Sequence, residues 1–110
     1  MECAKSKEGV FMVIKVKGRL DSVTAPELDR ECVKSIEQGE TRLILDLGEL
    51  DYLSSAGLRV ILSTAKKLKS SQGTLSLCSL QEMVSEVFSV AGFSSFLPIF
   101  GSLEEALAQH

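Results

Sequence analysis

The run Leu43-Ile44-Leu45, followed by Leu47 after a single Asp46, constrains the fold more than any other stretch. It is too short and too uniformly apolar for a surface helix, so it reads as a buried central strand. Val10 to Lys17 reads as a second strand, rich in β-branched and aromatic residues through Ile14, then alternating lysines with Val16. Gly18 ends it. Thr24, Pro26 and Glu27 then make a helix start. The Thr24 hydroxyl is placed to cap the Glu27 amide, the Glu27 carboxylate reaches back, and proline is tolerated in a first turn. Ala25, Leu28, Cys32, Val33 and Ile36 recur on one face until the helix closes near Gly39.

A turn is expected at Gly48. Ser54 and Ser55 supply a cap, after which Leu58, Ile61, Leu62, Ala65 and Leu68 repeat at helical spacing. Arg59, Lys66, Lys67 and Lys69 fall mostly on the other face, where a solvated lysine surface is the expectation. Gly73 ends this segment, and Thr74 to Cys78 alternates as a strand. Ser79, with Glu82 three residues later, opens a helix carrying Leu80, Met83, Val84, Val87, Phe88 and Ala91, with Met83 and Phe88 as core residues. Gly92 provides a left-handed stop. Phe93 to Phe100, broken by Pro98, suits a loop and a short edge strand, and Ser102 with Glu105 caps a last helix over Leu103 to Ala108.

Strands alternating with helices, without a repeat or a low-complexity linker, point to an α/β layer in which helices cover a largely parallel sheet. The 110 residues leave room for one core, so residues 1–110 are expected to form one domain. Sites in such sheets collect beyond the carboxyl ends of the strands, which selects the loops Gly18 to Thr24 and Gly48 to Ser55. The second ends at a helix amino terminus, where free backbone N–H groups favour a phosphate or carboxylate.

Several function classes are disfavoured. Lysine plus arginine number 12 against 15 aspartate plus glutamate, a net charge of −3, so a broad nucleic-acid footprint is not expected. The longest apolar run, Val10 to Ile14, is far short of a membrane span, and Met1 to Gly9 carries charges of both signs where a secretory signal needs an apolar segment. The expected address is the cytoplasm. Cys3, Cys32 and Cys78 lack any C-x-x-C pair and read as reduced packing thiols. The only imidazole is the terminal His110, so neither a transition-metal site nor a serine hydrolase triad has its parts. A Ser55–Lys66 dyad would have to span about 16 Å of helix. No phosphate loop occurs, and neither a cofactor nor a metal is implied. Asp21, Asp46 and Asp51 could gather as an acidic pocket. Their alternative is turn formation for Asp21 and Asp51 and a partnered or edge position for Asp46.

The run Tyr52-Leu53-Ser54-Ser55-Ala56-Gly57-Leu58 has two readings on first principles, a helix cap with small residues for close packing or a functional loop. The stretch from Asp46 through this run to Val60 resembles the signature of the STAS domain, found in bacterial anti-sigma factor antagonists. Gly18-Arg19-Leu20-Asp21, with Thr24, Ala25 and Leu28, resembles the earlier G-x-L-D-x-x-T-A-x-x-L segment of the same family, and the Ser102-to-Leu107 tail fits as well. The resemblance implies a small mixed, largely parallel sheet flanked by about four α-helices.

It also implies a phosphorylated serine at the start of the second helix, which falls on Ser55, with Ser54 as the alternative. Aspartate is frequent in the family where this chain has Ser54. The implied partner is an anti-sigma factor that is itself a serine kinase of the histidine-kinase-like ATPase fold, with a serine phosphatase to reset the switch. Asp21, Ser22 and Thr24 from one loop, with Asp51, Tyr52, Leu53, Ser54, Ala56, Gly57, Leu58 and Arg59 from the other, would make the docking face. Leu58 is divided between interface and core. The chain would then be a substrate and ligand rather than an enzyme, and a monomer, with a dimer patch at Phe93, Phe96 and Phe100 as the alternative. Two other readings stay open: an unphosphorylated scaffold or subunit of a transport or signalling complex, and a small-molecule or nucleotide binder.

Overall fold

Five strands form one mixed sheet in the order β1-β2-β3-β4-β5 in the computed structural model, which describes residues 1–90, 92 and 97–109. They are β1 (Glu2–Glu8), β2 (Phe11–Leu20), β3 (Arg42–Leu53), β4 (Thr74–Cys78) and β5 (Ile99–Phe100). Between them run α1 (Ala25–Glu37), α2 (Ser55–Ser70) and α3 (Glu82–Val90), with α4 (Leu103–Leu107) after β5. β1 pairs antiparallel with β2, and every later neighbour is parallel. The mixed, largely parallel sheet with four helices among the described residues is the architecture expected.

The core follows from strand alternation. Ile14, Val16 and Leu20 of β2, with Leu43, Leu45, Leu47 and Leu50 of β3, are buried in one cluster with Leu28 of α1, Ile61 and Leu68 of α2, and Val84 and Phe88 of α3. The opposite face has a smaller cluster in which Phe11, Val13, Ile44 and Cys78 meet Ala106 of α4. Leu43, Ile44 and Leu45 are all fully buried because β3 is covered on both faces, which is what a continuous apolar run requires.

Several local expectations are corrected. The amino-terminal strand β1 has no counterpart among the expected elements, because an edge strand whose residues are mostly exposed carries no apolar alternation. Gly18 does not end β2. It sits within the strand at a φ of +99°, beside a register shift between Gly18 and Arg19, where only glycine is unstrained. Gly48 is likewise not a turn, and β3 runs on to Leu53. Between the pairs Lys15↔Asp46 and Lys17↔Glu49 β2 advances two residues and β3 three; between Gly18↔Leu50 and Arg19↔Tyr52 β2 advances one and β3 two. Two bulges therefore absorb Gly48 and Asp51 into the strand.

Helix starts also differ. Thr24 makes no side-chain cap to α1. Ser79 has a φ of +63° and its amide donates to the Phe100 carbonyl, so α3 begins at Glu82 without the expected capping box. Met83 is 72% exposed rather than core, because Val84 and Phe88, one turn apart, take the buried face. α2 buries Gly57, Ile61, Thr64 and Leu68, leaving Leu58, Leu62 and Ala65 half-buried. The Gly92 stop is found at a φ of +76°, and Ser102 caps α4 by accepting from the Glu105 amide at 3.1 Å. Ala91, Phe93, Phe96 and His110 lie outside the described residues. Among the described residues no helix is long and apolar enough to cross a membrane.

Candidate functional site

β2 and β3 end side by side, with Arg19 opposite Tyr52 and Leu20 opposite Leu53, so the two loops selected from the sequence adjoin. The Ser54 amide donates to the Leu20 carbonyl at 2.9 Å and ties the second loop to the first strand. Beyond Leu20 the chain turns on Asp21. One oxygen of its carboxylate accepts from the Val23 and Thr24 amides, both at 3.0 Å, while the Thr24 hydroxyl accepts from the Asp21 amide at 2.9 Å and donates to the Arg19 carbonyl at 2.8 Å. The Thr24 hydroxyl thus closes the Asp21 turn instead of capping Glu27. The Thr24 amide is the main reason the Asp21 carboxyl lies below its ordinary value; the Thr24 hydroxyl, the Val23 amide and Arg19 add to this, and partial desolvation opposes it. This loop leaves Ser22 exposed and Val23 83% exposed.

The second loop hands over to α2 at two serines with different surroundings. Ser54 is the N-cap, extended at φ −89° and ψ 172°, and its hydroxyl accepts from the Gly57 amide at 3.2 Å. Ser55 is the first helical residue and is exposed, and among the described residues its hydroxyl has no hydrogen-bond partner. Gly57 is required by close approach. A Cβ there would lie 2.7 Å from Leu20 Cγ and 2.9 Å from Leu53 Cδ1, so the first turn of α2 rests directly on the ends of β2 and β3. Leu53 is accordingly buried, Ala56 and Leu58 are half-buried, and Arg59 is exposed.

Asp51 and Tyr52 are exposed on the terminal bulge of β3, and the Arg19 guanidinium stacks 4.2 Å over the Tyr52 ring. Arg19, Leu20 and Val23 were not singled out from the sequence as site residues. The parallel pairing of β2 with β3 brings them here, and only the G-x-L-D motif hinted at it. Asp46 lies further down β3 and accepts from the Gly48 amide at 3.1 Å. Among the described residues no cluster of three histidine, cysteine or carboxylate side chains is placed to hold a metal ion, so the acidic pocket of Asp21, Asp46 and Asp51 is not formed.

The family model described as the STAS domain matches residues 4–106. BtrV of Bordetella bronchiseptica, named as a candidate anti-sigma factor antagonist, is 43% identical over 108 residues, covering 98% of this chain and 93% of its own. Among solved structures, a candidate anti-sigma factor antagonist from Thermotoga maritima is similar with a TM-score of 0.91 at 21% identity, covering 96% of this chain and 91% of that one. The Bacillus cell fate determinant SpoIIAA, in its phosphorylated form, is similar with a TM-score of 0.77 at 21% identity, covering 96% of each chain. At such identity these two structures speak to the fold.

Proposed function

The chain belongs to the STAS domain family, and from that premise we propose that it is an anti-sigma factor antagonist, made of one domain over residues 1–110 and working by partner switching. The unmodified form binds an anti-sigma factor that is itself a serine kinase of the histidine-kinase-like ATPase fold, and sigma factor is released. Phosphorylation of Ser55 ends that binding. The observation that carries this reading is the unequal state of the two serines: Ser54 is committed to the Gly57 amide, while Ser55 is exposed and its hydroxyl is unengaged among the described residues. An acceptor must reach a kinase active site without dismantling its own helix, and Ser55 meets that condition better than Ser54. BtrV, 43% identical over 98% of this chain and named as a candidate anti-sigma factor antagonist, supports the antagonist role by family.

The chemistry belongs to the kinase. The Ser55 Oγ attacks the γ-phosphorus of ATP, its proton passes to a base of the kinase, and ADP leaves, with positioning and charge stabilisation supplied by the kinase and its magnesium. This chain contributes the hydroxyl and the docking face around it, formed by Asp21, Ser22 and Thr24 on one side and Asp51 to Arg59 on the other. The added phosphate brings about −1.5 to −2 charges close to the exposed Asp51 and the Asp21 turn, so association is opposed by like-charge repulsion and by the cost of desolvating the phosphate. Within the free protein the amino terminus of α2 tolerates the anion, so the switch changes binding without unfolding. A separate serine phosphatase restores the hydroxyl. The protein acts in the cytoplasm, as a monomer, and catalyses nothing itself.

The test is to incubate the protein with its kinase and ATP and to map the modified residue by mass spectrometry. Phosphate is expected on Ser55, lost in Ser55→Ala and kept in Ser54→Ala. Modification that persists in Ser55→Ala and vanishes in Ser54→Ala would overturn the assignment.

A further inference from the structure

A second site lies on α2, toward the end remote from Ser55, where the sheet narrows beneath the helix. β5 reaches only Leu77 and Cys78 of β4, so Thr74 to Ser76 have no β5 partner on that side. α2 crosses this part of β4 with the small Ala65 facing inward, and a cavity of about 490 Å³ opens between Ala65, Leu75, Leu97 and Pro98. That volume falls within the roughly 300–1,000 Å³ typical of small-molecule sites. Lys66 and Lys69, one turn apart on α2, line the same cavity, and among the described residues neither has a carboxylate within ion-pair distance. Lys67, on another face of the helix, is by contrast paired with Asp29 at 3.8 Å.

An apolar cavity bordered by two ammonium groups that have no ion-pair partner among the described residues matches a ligand with an apolar body and an anionic head. We propose that the groove formed by Ala65, Leu75, Leu97 and Pro98, with Lys66 and Lys69, binds a single-chain amphipathic carboxylate. The chain replaces water over the apolar floor, and the head is held by the lysines, whose flexible stems reach across the rim. A free carboxylate fits better than a bilayer surface, because the apolar lining is recessed whereas membrane attachment needs it to protrude. The site lies about 16 Å along α2 from Ser55, counted over eleven helical residues, and does not depend on the partner-switching reading.

The test is a titration of the isotopically labelled protein with octanoate, decanoate and dodecanoate below micelle formation, followed by amide chemical shifts. Saturable shifts are expected at Ala65, Leu75 and Leu97, with affinity rising about fourfold per added methylene until the cavity is filled. Lys66→Glu with Lys69→Glu, both at exposed positions, should weaken decanoate about tenfold or more while circular dichroism stays unchanged. Ser55→Ala should leave decanoate affinity as it is. Absence of saturation, equal affinity in the double lysine variant, equal affinity for neutral decanol, or association with phosphatidylglycerol vesicles but not monomeric decanoate would each overturn the proposal.

Discussion

Replacing each of the two adjacent serines by alanine should separate cap from acceptor by stability alone. The Ser54 hydroxyl is the acceptor for the Gly57 amide, at 3.2 Å, and Gly57 is buried, so water cannot take over the bond. Loss of an N-cap hydroxyl costs about 0.5–2 kcal/mol, and burial of the orphaned N–H puts Ser54→Ala in the upper half, about 1–2 kcal/mol. With an unfolding entropy of about 2.1 cal/mol/K per residue over 110 residues, this lowers the melting temperature by about 4–9 °C. Ser55 is exposed with no hydrogen-bond partner among the described residues, so Ser55→Ala should stay within about 0.5 kcal/mol of the parent. Urea and thermal unfolding of the three proteins, with equal m-values as the check on two-state behaviour, provide the assay. Equal melting temperatures for Ser54→Ala and the parent, or a larger loss from Ser55→Ala, would refute the division between the serines.

Gly57→Ala should destabilise by about 1–2 kcal/mol by urea denaturation, because overpacking against Leu20 and Leu53 outweighs the gain in helix propensity; a stabilised variant would mean α2 can lift from the strands freely. Cys32, fully buried, has its thiol pushed up to about 11 by desolvation, so it should resist alkylation at pH 8 until the protein is unfolded, and rapid labelling in the native state would contradict the packing. Asp21 should titrate below the ordinary aspartate value in a carbon-detected NMR experiment. Because its folded-state pKa is depressed, its contribution to stability is present above the unfolded value of about 4 and is lost as the pH falls through the folded value; a normal or raised pKa would exclude the amide-bound turn.

Much of this architecture was readable because the signals were local. The apolar run at Leu43 to Leu47 demanded cover on both faces, and the spacing of Leu28 and Cys32 placed α1 on the core. What was missed depended on pairing between distant segments. β1 is held by β2 rather than by its own residues, and the glycines at 18 and 48 signal turns in isolation but lie in bulged strands when two parallel strands differ in length. Met83 shows the limit of helical periodicity. Leu80, Met83, Val84, Val87 and Phe88 make a broad apolar arc, yet α3 buries only Val84 and Phe88 completely. At the site, the motif indicated both loops and both serines. The distinct states of Ser54 and Ser55, and the stacking of Arg19 on Tyr52, follow from where β2 and β3 end together, a distance no local pattern encodes.

The most direct measurement compares the affinity of the partner kinase for the unmodified protein and for protein carrying phosphate on Ser55, by calorimetry, with the melting temperature of each form alongside. A loss of affinity of about a hundredfold or more, with the phosphorylated form still folded, is expected from a desolvated charge brought into the docking face. Equal affinities, or a loss that only tracks unfolding of the modified protein, would contradict a charge-operated switch at the start of α2.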